Sequence, residues 1–450
     1  MRGRAANRRT ASRAGRAGGS RTWRAAAALA LGGALALSAC GGGDDDGGKG
    51  GGDASKVEVF SWWTGPGEAD GLNAMIEEFK KKNPNTQFVN AAIAGGSGTQ
   101  AQAVLASRLQ NRKPPDSFQG HAGAELLDYI KAGQIEPLDS FYDSNNLRAA
   151  YPEQLLQQIS YQGKIYSVPV NIHRSNMLWY NPGILKDAGI AGPPKTVAEF
   201  ATALKTVKDK TGKVPLSLGA QWTADHLLEN VLLGSMGADA YNALWKPGAD
   251  WSSPQVTTAL GQFAEIMKYT TAEAASTDWQ GAAKAVADGK AAFNIMGDWA
   301  YGYFTGGAPN GLGKKLDTDF KYAAAPGTEG TYMWLSDSFT LPKGAPHRGG
   351  ALAWLKVAAS KEGQDLFNPK KGSVPARKDA DKSLYKGYLE YAFNEWNKPD
   401  VKLAGSFWHG VNASKKWHTD IDTAVGLFLQ SKDAAKLQEA LVAAAKNNAQ

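Results

Sequence analysis

Trp62 and Trp63 stand together directly after Val57-Glu58-Val59-Phe60, a short apolar run that reads as a buried strand. Open α/β sheets collect ligands at the carboxyl ends of their strands, so an indole pair there is placed to meet one. Asp116 to Gln119 reads as another such run; Gln119 and His121 stand at its end, spaced two apart so that both can face one side. Asp298 and Trp299 follow a third, Ala291 to Met296. Flat indoles beside planar donors and acceptors suit a pyranose, which offers C–H faces and a rim of hydroxyls. A site that pairs buried hydroxyls also discriminates, because an analogue lacking one leaves a protein group unsatisfied.

Each residue also has a plainer role open to it. Adjacent residues on an extended segment point opposite ways, so only one of Trp62 and Trp63 need face a ligand while the other packs in the core. Glu68 opens the next helix and stands equally well as a solvated helix-start acid. A lone histidine is more often structural, and Asp298 suits an N-cap for the segment from Trp299. A glycosidase needs two carboxyls at a defined separation, and Asp298 with the weaker candidate Glu68 does not make that case.

The elements that must hold these residues alternate. Helical spacing of Leu72, Met75, Ile76 and Phe79 follows the first strand, and Asn83-Pro84 stops it. Strands are predicted at 86–93, 165–170, 177–180 and 335–341, and helices at 99–109, 123–132, 196–208 (Thr196 as cap), 351–360 and 434–445. Strands alternating with helices predict parallel α/β sheets covered on both faces. No solenoid-length repeat interrupts the pattern. At 450 residues, 43% hydrophobic and 21% charged, the chain suits two lobes of ordinary size.

The formal charge of +7 suggests nucleic acid until its position is read. Eight arginines lie before residue 25, and no acid precedes Asp44. Without them 42 basic residues face 43 acidic ones, so no basic face for phosphates remains. That arginine-rich start leads into the apolar run Ala25 to Leu37 and then Ser38-Ala39-Cys40, the form of a secretory signal. Cys40 is the single cysteine of the chain, so no internal disulfide forms. Residues 41–55, rich in Gly and Asp, contain no large apolar side chain and read as a flexible tether.

Gly65-Pro66-Gly67 with Gly71 misses the dinucleotide-loop spacing by one residue. With no H-E-x-x-H, no Cys/His cluster and no G-x-x-x-x-G-K-[ST], neither metal, cofactor nor enzymatic activity is expected.

Several longer segments, in shared order, resemble one family. They include 133–138 (GQIEPL), 166–169 (YSVP), 179–190 (WYNPGILKDAGI) and 289–293 (GKAAF) running into Gly297-Asp298-Trp299. Leu37-Ser38-Ala39-Cys40-Gly41 resembles the bacterial lipobox. Together the chain after Ser55 resembles the family 1 extracellular solute-binding proteins of ABC importers. It is most similar to the glucose/mannose-binding branch through 60–63 (FSWW), 119–123 (QGHAG), 171–176 (NIHRSN) and 335–339 (LSDSF).

The resemblance implies a periplasmic-binding-protein-like fold of type II, two α/β lobes on a multi-strand hinge with the ligand cleft between them. Residues 56–172 and 335–373 would form lobe one, with 173–334 and 374–450 forming lobe two. It adds Trp222, Trp245, Asp337 and His409 to the ligand-binding candidates, and it places Asn171 and His173 at the hinge. Cleavage after residue 39 would leave Cys40 lipidated and the protein anchored on the outer face of the cytoplasmic membrane. The implied function is capture of a sugar, glucose or a related hexose, by a monomer that hands it to ABC permease subunits. A disaccharide or short oligosaccharide is the alternative ligand, and a secreted glycoside hydrolase the alternative class.

Overall fold

The computed structural model describes residues 52–270 and 277–448. The expected signal segment, Cys40 and residues 41–51 of the tether lie outside the described residues. β1 (Lys56–Phe60), β2 (Gln87–Asn90) and β3 (Ser117–His121) run parallel. A small ribbon of β4 (Ser160–Tyr161) and β5 (Lys164–Ile165) leads to β6 (Ser167–Pro169). Next come β7 (His173–Arg174), β8 (Met177–Tyr180), β9 (Val214–Leu216), β10 (Ala291–Ile295) and β11 (Lys321–Ala324). β12 (Thr331–Leu335), β13 (Asp337–Thr340) and β14 (Lys402–Gly405) follow.

These strands form a five-stranded sheet, β2-β1-β3-β13-β6, and a four-stranded sheet, β11-β8-β10-β9. A three-stranded strip, β14-β12-β7, lies at the passage from one to the other. The two sheets with their helices are the two α/β lobes of a type II binding-protein fold. The chain passes between them at three places. β6 leads through Ile172 into β7, β12 becomes β13 at Ser336, and Val374 pairs with Ile172 by two backbone hydrogen bonds.

The larger sheets are mixed rather than purely parallel, which corrects the sequence expectation. β13 is antiparallel to β3 and β6, and β8 to β10 and β11. Both reversed strands begin at a crossing and run away from it, with no room for the helix that a parallel connection requires. The strand predicted at 335–341 is likewise two strands, in different sheets, parted at Ser336.

Local signals explain many element ends. Thr196 accepts from Glu199 N at 3.1 Å while the Glu199 carboxyl returns to Thr196 N, a capping box that starts the helix Val197–Thr211. The helix Trp222–Met236 has no such legible face: every residue from Trp222 to Leu233 is buried, including Asp225, His226, Glu229 and Asn230.

Arg174 holds the crossing together. Wholly buried, it donates to Asn176 Oδ1, Tyr391 Oη and Thr331 O at 2.9–3.2 Å, and it lies over the rings of Tyr332 and Tyr391. Arg174→Met keeps the stem and strands these acceptors. Urea unfolding is expected to show a loss of about 3 kcal/mol, and a loss under about 1 kcal/mol would show that the guanidinium is not needed there.

Candidate ligand-binding site

β1 and β3 deliver Trp62, Trp63 and His121 to the passage between the lobes, and β10 delivers Trp299 from the other side. Together with Glu68, Ser97, His173, Trp222, Trp279, Leu335, Asp337, Lys371 and His409 they line one cavity. Its side chains leave about 30 Å³ between them, the room of a water or two. A ring-sized ligand does not fit that space as it stands.

The aromatic faces form a continuous wall. The ring centroids of Trp62 and His121 lie 5.0 Å apart, those of Trp299 and His409 5.1 Å, and those of Trp222 and Trp299 6.5 Å. Trp63 also lines the cavity, but it is almost wholly buried and packs on Phe367 and Phe339.

The polar groups are held by buried partners. Asp337 begins β13 and accepts from Gln119 Nε2 at 2.8 Å and Asn171 Nδ2 at 2.7 Å, while its own N–H donates to Asn171 Oδ1. Burial alone would push its carboxyl up, but Lys371, His121 and His173 outweigh it and hold it below the usual range. Lys371 Nζ donates to Glu68 Oε1 at 3.0 Å and sits over the Trp299 ring. Glu68 is raised, since its desolvation exceeds the help from Lys371. His121 Nδ1 lies 2.8 Å from Glu125 Oε2. Burial opposes the imidazolium, yet Glu125 and Asp337 raise its pKa. His409 is the opposite case, driven well below its ordinary value by burial and by the neighbouring His226 and His121.

Contacts across the mouth join the lobes. Gly96 N donates to Asp278 Oδ2 at 3.1 Å, Trp408 Nε1 to Ser97 Oγ at 3.0 Å, and Asn310 Nδ2 to Asp70 Oδ1 at 2.8 Å. Glycine is required in this loop. A Cβ on Gly96 would lie 2.5 Å from Asp278 Oδ1, and one on Gly98, at φ +73°, 2.7 Å from the Trp62 ring.

Of the residues chosen from sequence, Trp62, Trp63, Glu68, His121, Trp222, Asp337 and His409 meet at the cavity. Three do not line it. Gln119 stands one layer back with both ends used, accepting from Trp62 N and donating to Asp337. Asp298 is fully buried behind the wall, taking Arg174 N at 2.9 Å, Tyr388 Oη at 3.2 Å and His173 Nδ1. It occupies the N-cap position of the helix Trp299–Thr305 but its side chain does not cap it. Trp245 belongs to a separate aromatic cluster with Phe407, Trp251 and Trp417.

Lys371, Trp279 and Ser97 escaped the sequence reading. Lys371 ends a helix within Asn368-Pro369-Lys370-Lys371-Gly372, where paired lysines ordinarily read as solvated. The one usable signal was that this segment also carries a crossing. Trp299 was noticed only as the neighbour of Asp298, and it is the member of that pair that reaches the cavity.

Among the described residues, His226, Glu229 and His409 bring candidate metal-ligand atoms within 4.8 Å of one another. Hydrogen bonds from Ser175, Ser406 and Trp408 N already use the Glu229 oxygens.

Comparison with known proteins bears on the family and the fold. The sequence model described as bacterial extracellular solute-binding protein matches residues 65–365. An uncharacterised ABC transporter extracellular-binding protein of Pyrococcus horikoshii is 33% identical over 87% of this chain and 88% of its own. The xylose/arabinose-binding protein of Haloferax volcanii is 29% identical over 87% of this chain and 84% of its own. Among solved structures, a bacterial solute receptor with an exclusive preference for β-D-galactopyranose superposes with a TM-score of 0.74 at 17% identity, covering 88% of this chain and 98% of that one.

His409 gives the site a pH signature. The unfolded chain binds a proton on this histidine below about pH 6.5, and the folded chain, with its pKa driven down, does not. Its contribution to stability is therefore lost as pH falls below that point, by up to ~1.4 kcal/mol per unit. Urea titrations from pH 7.5 to 5 should show the stability gap between wild type and His409→Asn narrowing in acid. A constant gap would mean that His409 titrates normally.

Proposed function

Given that the chain belongs to the bacterial extracellular solute-binding protein family, we propose that this sugar-binding ABC substrate-binding protein takes a single hexose, glucose or a close relative, in the cavity between its lobes. The observation that carries this reading is the composition of that cavity. Indoles from both lobes, Trp62 on one side and Trp222, Trp279 and Trp299 on the other, enclose Glu68, Asp337, Lys371, His121 and His409. The indoles suit the C–H faces of a pyranose, and the polar set, held by its own buried partners, suits the hydroxyl rim.

In this reading lobe one comprises 56–172 with 335–373, and lobe two 173–334 with 374–450. The lobes part about the three crossings to admit the sugar and close over it, and ABC permease subunits take it from that loaded form. Cys40 carries the lipid that holds the monomer at the outer face of the membrane, with 41–55 as its tether. The chain performs no chemistry on the sugar. A pentose, as in the xylose/arabinose-binding relative, leaves the same faces and most of the rim, so ring size is decided by titration.

Calorimetric titration against glucose, mannose, galactose, xylose, arabinose and maltose tests this. One hexose is expected to bind well, with Trp299→Ala weakening it at least about tenfold, a loss of roughly 1.4 kcal/mol or more. Binding of maltose alone would give the site to a disaccharide, and turnover of an aryl glycoside would make the chain an enzyme.

A further inference from the structure

Behind His409 lies a buried network that capture of a sugar does not by itself require. Glu229, wholly buried on the helix Trp222–Met236, accepts from Ser175 Oγ at 2.9 Å and from Trp408 N at 3.2 Å. Ser406 Oγ sits 2.9 Å from each of its carboxyl oxygens. A hydroxyl has one hydrogen, and with an acceptor on both sides of the carboxyl that hydrogen points to Glu229. The lone pairs of Ser406 then receive the backbone N–H of His409 at 3.2 Å and face its Nδ1 at 2.9 Å.

A hydroxyl whose hydrogen is engaged can only accept, so Nδ1 must carry a proton. In a neutral imidazole one nitrogen donates and the other accepts. Nε2 is then bare. It makes no hydrogen bond to the protein among the described residues, and His409 lines the cavity. His226 does not compete for the same hydroxyl, since its Nδ1 faces Glu229 Oε1 at 3.3 Å and Ser175 Oγ at 3.5 Å.

We infer that Glu229 is a positioning residue: acting through Ser406, it fixes His409 with its proton on Nδ1, so that Nε2 accepts from a ligand hydroxyl and the site demands a donor at that position of the ring. The tautomer follows from the protein alone. Only the identity of the donor rests on the sugar reading.

Histidine ¹⁵N resonances of the ligand-free full chain at pH 7.5 test the first half. His409 is expected to show a protonated Nδ1 and an unprotonated Nε2. Glu229→Gln sets an NH₂ group beside Ser406, frees the Ser406 hydrogen to turn toward His409, and should populate the Nε2–H form. Ser406→Ala removes the relay without altering Glu229 and serves if the first variant does not fold. The second half is read with deoxyfluoro analogues of the bound hexose, since fluorine accepts but does not donate.

At one ring position the analogue should bind wild type about tenfold or more weakly than the parent sugar, and Glu229→Gln should recover part of that loss. An Nε2–H wild type, or a tautomer unchanged in both variants, overturns the inference. Fluoro analogues that all bind like the parent sugar remove the demand for a donor. The expected tautomer in a protein that binds no sugar supports the positioning role and sinks the sugar reading instead.

Discussion

A carboxyl group buried at the crossing where β12 gives way to β13 is the constraint on which the rest turns. Asp337 follows Ser336, the residue that parts β12 from β13, and its side chain is almost wholly removed from water. A charge in that position is costly unless every lone pair is met and opposite charge is near. Gln119 and Asn171 meet it directly, and Lys371, His121 and His173 supply the field. They come from three separate segments, so settling one acid fixes the end of β3, the approach to β7 and the helix end at Lys371. The cavity wall is what those segments become once placed.

The partners of these residues are themselves anchored. Lys371 is shared with Glu68, His121 with Glu125, and His173 with Asp298. Asp298 therefore acts on the cavity from behind. It sets His173 and the backbone of Arg174, and Arg174 in turn binds Thr331 at the start of β12. Hydrogen bonds thus tie Asp298 to His173 and Arg174, and Arg174 to Thr331, while His173 Nε2, 3.8 Å from Asp337 Oδ2, bears on that acid through its field alone.

Much of this was legible in the sequence where one period or one motif decided the outcome. The first three strands, the capped helix at Thr196 and the aromatic pair after β1 follow from short-range signals, and the structure has them. The helix Trp222–Met236 was missed because it is buried on nearly all sides and so shows no amphipathic stripe. Asp298 was over-read for a related reason. A carboxyl next to an indole suggests a shared ligand, yet successive residues entering a helix diverge, and only Trp299 turned toward the cavity. Trp245 shows the limit of the resemblance: a chain with 14 tryptophans must spend several on packing, and this one stacks on Phe407 at 4.9 Å. The demand on Ser406 and Glu229 could not be read at all, since it arises from residues 177 positions apart.

That two bodies close on carbohydrate is tested most directly by the distance between spin labels at Val104 and Leu427. Both are exposed, one on the helix Thr99–Gln110 beside the mouth loop and the other on the helix Lys415–Ser431 of the opposite side. Pulsed EPR with saturating hexose should give a single narrow distance, shorter than the mean without it. The same distribution with and without bound sugar would contradict closure.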